Sequence, residues 1–277
     1  MKIALCLMGV IGGDKGKSGA GSPDGILKIG HEHFKKHILD KNDVDVFVHT
    51  WNTDKAEDIE RIYKPKAALY QKQIYFDIPD HVGGPPTGLG PQGQRKNNHY
   101  SRWYSTKQAI GLKEKHEKTN GFKYDYVMVS RFDIAWQKDI IFDEFDSNAF
   151  YAGNWNRFFY PDGREVKNRL YYSQINDSNR GSLKEILVGY PHNEEGTIDF
   201  WYFANSENMD KFGKLFDNLD EYTKPENCPT DHEGWISNHR LSLYHIQQTG
   251  LIDNFKFVYH LHDDFPLIRR WYYKCGK

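Results

Sequence analysis

Residues able to do chemistry gather at four places in the sequence. The first is Y-D-Y-V-M-V-S-R-F-D, residues 124–133, where an apolar run ends in Ser130-Arg131-Phe132-Asp133. Open parallel sheets bind ligands beyond the carboxyl ends of their strands, so a strand over residues 126–129 sets Asp133 at a ligand edge by position alone. A carboxylate there suits a hard divalent cation that shares its remaining sites with diphosphate oxygens. Arg131 offers a forked set of donors to phosphate or carboxylate. The alternative is an Arg–Asp pair that closes off a strand.

The second is Gly16-Lys17-Ser18, which follows an apolar run at residues 3–7 and raises the question of a P-loop. That motif needs a glycine five residues before Gly16, where Ile11 stands. Gly19, Gly21 and Pro23 also forbid a helix directly after Ser18. A nucleotide kinase is therefore only a lesser alternative, one that predicts ATP turnover lost on Lys17→Ala.

The third is a pair of acidic positions. Asp199 lies inside G-T-I-D-F-W-Y-F-A-N-S, an apolar and aromatic segment where a lone carboxylate is costly without a task or a partner. Asp231-His232-Glu233 opens a helical pattern after Pro229, where Asp231 could simply cap the helix. The fourth is V-Y-H-L-H-D-D-F-P-L-I-R-R, residues 258–270. A strand over 255–259 sends His260 and His262 to the same side at its end, beside Asp263, Asp264, Arg269 and Arg270. No G-x-S-x-G elbow occurs. His31-Glu32-His33 has i, i+2 spacing, which points the two histidines apart on a helix and excludes a zinc motif.

The elements that must position these residues alternate in type. Strands read at 3–8, 43–49, within 67–76, and at 126–129. Helical spacing reads at 25–39, 54–63 and 100–118, the last with Trp103, Ile110 and Leu112 inward. The alternation implies an α/β fold with a mostly parallel sheet covered on both faces. Beyond residue 134 the rhythm loosens. Helices are expected near 182–188, 206–219 and 231–248, and strands at 197–204 and 255–259. A Gly/Pro-rich loop at 83–93 is functional, mobile or a disordered surface loop.

Composition narrows the classes. The chain has 277 residues, enough for one large domain or two small ones. Its net charge of −1 gives no basic footprint for nucleic acid. Three cysteines, far apart and odd in number, form neither a disulfide framework nor a metal motif, which fits a reducing compartment. No run approaches a membrane span and no cleavage site follows the first apolar stretch, so a soluble cytoplasmic protein is expected. The 7 Trp, 18 Tyr and 17 Phe suit an aromatic core or stacking on sugars and bases.

Four segments in order, K-I-A-L-C-L-M-G at 2–9, D-V-D-V-F-V-H-T-W at 43–51, W-Y-S-T-K-Q-A-I-G-L-K at 103–113, and Y-D-Y-V-M-V-S-R-F-D at 124–133, resemble GT-A-fold nucleotide-sugar glycosyltransferases. They are most similar to the small soluble enzymes of large algal viruses and of some bacteria and phages. The resemblance implies a single GT-A-like (Rossmann-like) domain over 1–277. Residues 1–135 would bind a nucleotide sugar, in all expectation a UDP-sugar, and 136–277 a glycan or glycoprotein acceptor. A viral origin would place it in the host cytoplasm. The family's D-x-D metal site aligns with Arg131-Phe132-Asp133, where only the second acid is present, and Arg131 could supply part of the cation's charge. The resemblance implies Mn²⁺ or Mg²⁺ on Asp133, with His260 and His262 as further ligands and Arg269 on the pyrophosphate. The first strand and its turn would hold the nucleoside through Gly9 and its neighbours, Gly12 and Gly13 among them, where glycine permits close approach. Lys15 and Lys17 would close over the diphosphate. Thr50 or Trp51 would line the nucleoside pocket, and Arg102 would contact the donor sugar or phosphate. Asp199 is the expected sugar-contacting acid, and the base is open between Asp199 and Glu233. Trp155, Phe158, Phe159, Tyr160 and Trp201 are candidates for stacking on the acceptor. The missing first acid leaves a catalytically inert glycan-binding module as the main alternative.

Overall fold

The computed structural model describes residues 1–12, 23–82, 92–154, 157–159, 184–186, 196–227, 237–261 and 264–268. Lys15, Lys17, Glu233, His262 and Arg269, the loop at 83–91, and the side chain of His260 lie outside the described residues, as do the side chains at 155–160.

The protein is α/β. A seven-stranded, mostly parallel sheet has the order β3-β2-β1-β4-β8-β5-β9. Its strands are β1 (Lys2–Gly9), β2 (Asp43–Thr50), β3 (Ala67–Tyr70), β4 (Tyr126–Arg131), β5 (Phe150–Asn154), β8 (Trp201–Ala204) and β9 (Phe255–His260). β6 (Arg157–Phe159) and β7 (Lys184–Ile186) form a separate antiparallel pair. In the main sheet β8 alone is antiparallel to its neighbours. The chain steps outward from β1 through β2 to β3, then returns to β4 on the other side of β1. The crevice at the carboxyl ends of β1 and β4 is therefore the topological switch point of the sheet.

Strand alternation splits the interior into two cores. Ile3, Leu5 and Leu7 of β1 face one core with Tyr126 and Met128 of β4 and Trp201 and Phe203 of β8. Ala4, Cys6 and Met8 face the other with Val127, Val129 and Tyr202. Helices α1 (Pro23–Phe34) and α2 (Ala56–Tyr63) close the first core through Ile26, Leu27, Phe34 and Ile59. Helices α3 (Gln92–Asn120), α4 (Ser206–Phe212) and α6 (Asn238–Gln248) close the second through Trp103, Ile110, Phe212, Leu241 and Ile246. Each fully buried apolar side chain contributes about 1.5–3 kcal/mol, so strands buried on both faces read as near-continuous apolar runs.

The inward stripe of α3 is not apolar throughout. Ser105, Thr106, Lys113 and Glu117 are buried on it. Lys113 Nζ donates to Glu117 Oε2 (3.2 Å), Ser206 Oγ (2.8 Å) and Asp210, tying α3 to α4.

Three sequence expectations are corrected. Residues 184–186, expected in a helix, are strand β7, because Arg157–Phe159 supplies a ladder partner that local periodicity cannot reveal. The helix expected over 206–219 is α-helical only to Phe212; Gly213–Asn218 tightens into a 3₁₀ stretch before the short α5 (Leu219–Tyr222). The helix expected from 231 begins at Asn238, after an extended Ser237 whose hydroxyl caps His239 N–H. Strand β5 is not expected from the pattern, because its five residues lie where the rhythm loosens.

Candidate functional site

The switch point is built from the ends of β1, β2 and β4, the first half of α3, the start of β8 and the first turn of α6. At the end of β1, Gly9 adopts φ +93°, a conformation open to glycine and costly for other residues. Its N–H donates to Ser105 Oγ (2.7 Å), and Ser105 Oγ meets His49 Nδ1 (2.6 Å). His49 Nε2 donates to Gln71 Oε1 (3.3 Å), and in the neutral ring that burial favours, Nδ1 is then the acceptor and takes the Ser105 proton. Burial pushes His49 down to about 4. The turns after β1 and β2 are cross-linked by Ile11 N–H to Asn52 Oδ1 (2.9 Å) and Trp51 N–H to Gly9 O (3.4 Å). Among the described residues a side chain at Gly9 would meet nothing within 4 Å, while at Gly12 the side chain of Ile26 packs close. Gly13 lies outside the described residues.

Thr50 is fully buried, and its hydroxyl accepts Asn52 N–H (3.1 Å), an internal turn contact. Trp51 stacks on Tyr104, ring centroids 5.6 Å apart, and packs edge-on against His49.

At the end of β4, Arg131 and Asp133 form the strand-closing pair. Nε donates to Oδ1 and Nη2 to Oδ2, both at 2.7 Å. The guanidinium lies over Phe200, 5.0 Å from the ring centroid. Burial works against the Arg131 charge, but Asp133 outweighs it and raises the Arg131 pKa. The Arg131 side chain keeps 29% exposure against 10% for Asp133, so the arginine is the member of the pair that faces outward. Among the described residues nothing accepts from its Nη1.

Arg102 enters from α3. It donates to Met8 Sδ, Thr106 Oγ1 (2.6 Å) and the Asp199 carbonyl, while its buried Nε has no hydrogen-bond acceptor among the described residues and sits 3.7 Å from Asp199 Oδ2. Burial depresses its pKa, and Asp199 opposes that shift. Asp199 itself is buried. Desolvation favours its neutral form, but His239, Arg102, Arg131 and the Asn238 hydrogen bond outweigh that and hold its pKa below the usual carboxylate range. Asp199 Oδ2 accepts from Asn238 Nδ2 (3.3 Å), and Oδ1 lies 3.6 Å from His239 Nδ1. The approach of Thr197–Asp199 to α6 depends on Gly196, at φ +86°, where any Cβ would overlap the His239 carbonyl. Thr197 and His239 then exchange two hydrogen bonds, N–H to His239 O (3.0 Å) and His239 Nδ1 to Thr197 O (2.9 Å).

The structure thus brings Gly9, Arg102, Arg131, Asp133 and Asp199 to one sheet edge and keeps Thr50 in the turn beneath it. The C-terminal segment also reaches this edge. Ile268 N–H donates to Asp133 O (2.9 Å), and Leu267 bridges Ile134. His260 is the last residue of β9, after a bulge at Tyr259 (φ +58°), and Leu261 is already in a turn. The side chain of His260 and the whole of His262 lie outside the described residues, and with them the expectation that the two project to one side. Trp201, expected to stack on an acceptor, is fully buried against Trp136 and Phe265. Sequence reasoning missed Asn238, His239, Ser105 and the role of His49; Asn238 and His239 open a helix, while Ser105 and His49 lie within elements whose local pattern carries no sign of their contact.

The described residues do not fit a divalent cation. Both Asp133 oxygens are held by Arg131, and among the described residues no group of three or more His, Cys, Asp or Glu side chains is arranged to hold a metal. Among the described residues, cavities of about 670 and 420 Å³ lie between α3 and α4 and between α1 and α2, away from this edge.

No protein-family model matches the chain, and no curated protein matches its sequence. Among the described residues no helix is long and apolar enough to cross a membrane.

Proposed function

We propose that the protein is a GT-A-like glycosyltransferase that moves a sugar from a nucleotide diphosphate donor, a UDP-sugar in the first instance, to a glycan acceptor. The observation that carries this reading is the Arg131 guanidinium at the switch point, clamped by Asp133 on one edge, supported by Phe200 on one face, and partly exposed. A planar cation fixed in this way is preorganised for an anionic group, and stabilising charge on a departing diphosphate is the main task of such a site. Arg102 adds a second positive charge, and the ionised Asp199 supplies an acceptor for sugar hydroxyls. A cation expected from the resemblance would have to displace Arg131 from Asp133, so the arginines take the role of neutralising the diphosphate.

The test is a thermal-shift panel of UDP-, GDP- and CMP-sugars, each with Mn²⁺ and with EDTA, followed by donor hydrolysis. A UDP-sugar stabilises the fold equally in both conditions and is slowly hydrolysed. If glycans stabilise the protein and every nucleotide sugar fails, the inert-module reading replaces this one.

A further inference from the structure

We infer that Asn238 is a positioning residue that aims Asp199 at the switch point. This rests on the reading of Asp199 as the sugar-contacting acid and extends it to the group that orients it. The orientation of the Asn238 amide follows from chemistry. Trp103 Nε1 can only donate, and it lies 3.1 Å from Asn238 Oδ1, which fixes that atom as the carbonyl oxygen. His99 Nδ1, 2.7 Å from the same oxygen, must then also donate. With its oxygen occupied by two donors, Asn238 turns its N–H₂ to Asp199 Oδ2 at 3.3 Å.

Asn238 stands at the first residue of α6, and Trp103 is fully buried in α3. The relay therefore links two helices to the start of β8. Asp199 is faced by Arg102 from α3, His239 from α6, Arg131 from β4 and Tyr202 from β8. The arginines and His239 act by charge at longer range; Asn238 makes the hydrogen bond to a carboxylate oxygen and so sets its direction. A ligand hydroxyl would meet the remaining lone pairs of a carboxylate already turned toward it.

The experiment follows the Asp199 carboxyl by ¹³C NMR across pH, its resonance identified by its loss in Asp199→Asn, in the wild type and in Asn238→Asp and Asn238→Ala. Asn238→Asp keeps the acceptor for Trp103 and His99 but replaces the donor with a second acid, so the pair titrates with one apparent pKa raised by about one unit or more. Asn238→Ala removes the donor without adding charge and gives a smaller upward shift. Asn238 is half-buried, so the alanine variant leaves no large core cavity. The same variants are scored for UDP-sugar binding against pH. An Asp199 titration that stays unchanged in both folded variants overturns the inference, even where donor binding persists. A shifted titration in a protein that binds no nucleotide sugar upholds the inference and removes the glycosyltransferase reading instead.

Discussion

Asp133 grips Arg131 with both carboxylate oxygens, 2.7 Å from Nε and 2.7 Å from Nη2. The pair spans one residue, Phe132, whose side chain is fully buried in the first core. The strand end thus anchors the geometry, and the acid serves the arginine. Lysine cannot reproduce a forked contact, so Arg131→Lys is expected to cost about 1.5–3 kcal/mol of donor binding, roughly ten- to a hundredfold in affinity. Asp133→Asn loosens the guanidinium and weakens donor binding to a similar degree in Mn²⁺ and in EDTA. Calorimetric titration measures both variants, and a loss confined to the Mn²⁺ condition would restore the metal reading.

Gly196 is the position where backbone geometry controls the site. Alanine there combines a positive φ with overlap on the His239 carbonyl. Gly196→Ala is expected to destabilise the protein by more than about 1 kcal/mol, read as a lower urea midpoint. Donor affinity falls with it, because Asp199 follows three residues later. Unchanged stability would show that the segment can approach α6 without the glycine.

Lys113 is buried with all three ammonium protons directed to acceptors, and the Glu117 side chain beside it is equally buried. Removing one partner of such a pair costs about 3–5 kcal/mol, since the other charge stays buried. Lys113→Met is expected near the lower figure, because Lys123 also reaches Glu117 (2.8 Å) and Asp210 (3.1 Å). The double variant Lys113→Met/Glu117→Gln recovers part of the loss, keeping an acceptor for Tyr124 N–H. Equilibrium urea unfolding of both checks the coupling.

Of the buried histidines, His49 and His245 carry the acid response. Burial pushes His49 and His245 each down to about 4. A histidine held neutral in the fold and free to charge when unfolded makes the unfolded state bind more protons between the two pKa values. Its stabilisation is complete above the ordinary histidine value and is lost as pH falls toward about 4, on the order of 3 kcal/mol for each group. The thermal midpoint is expected to drop steadily from pH 7 to 4.5, with a shallower slope in His49→Gln. A flat profile through that window would contradict the assignment of neutral, buried rings.

The sequence alone determined the parallel half of the molecule. β1, β2 and β4 were legible because strands buried on both faces are continuous apolar runs, and the body of α3 because its inward positions recur at helical spacing. Asp133 at the sheet edge followed from the end of an apolar run. Tertiary structure alone decided what that carboxylate does, since spacing allowed a cation ligand and an arginine partner equally, and the fold set Arg131 against it. It also decided that Asp199 meets Asn238 across 39 residues of sequence, that β8 runs against its neighbours, and that Lys184–Ile186 is a strand. Apolar periodicity is local and survives in a single chain of letters. A hydrogen bond between side chains distant in sequence depends on where helices and strands pack, which no local spacing records.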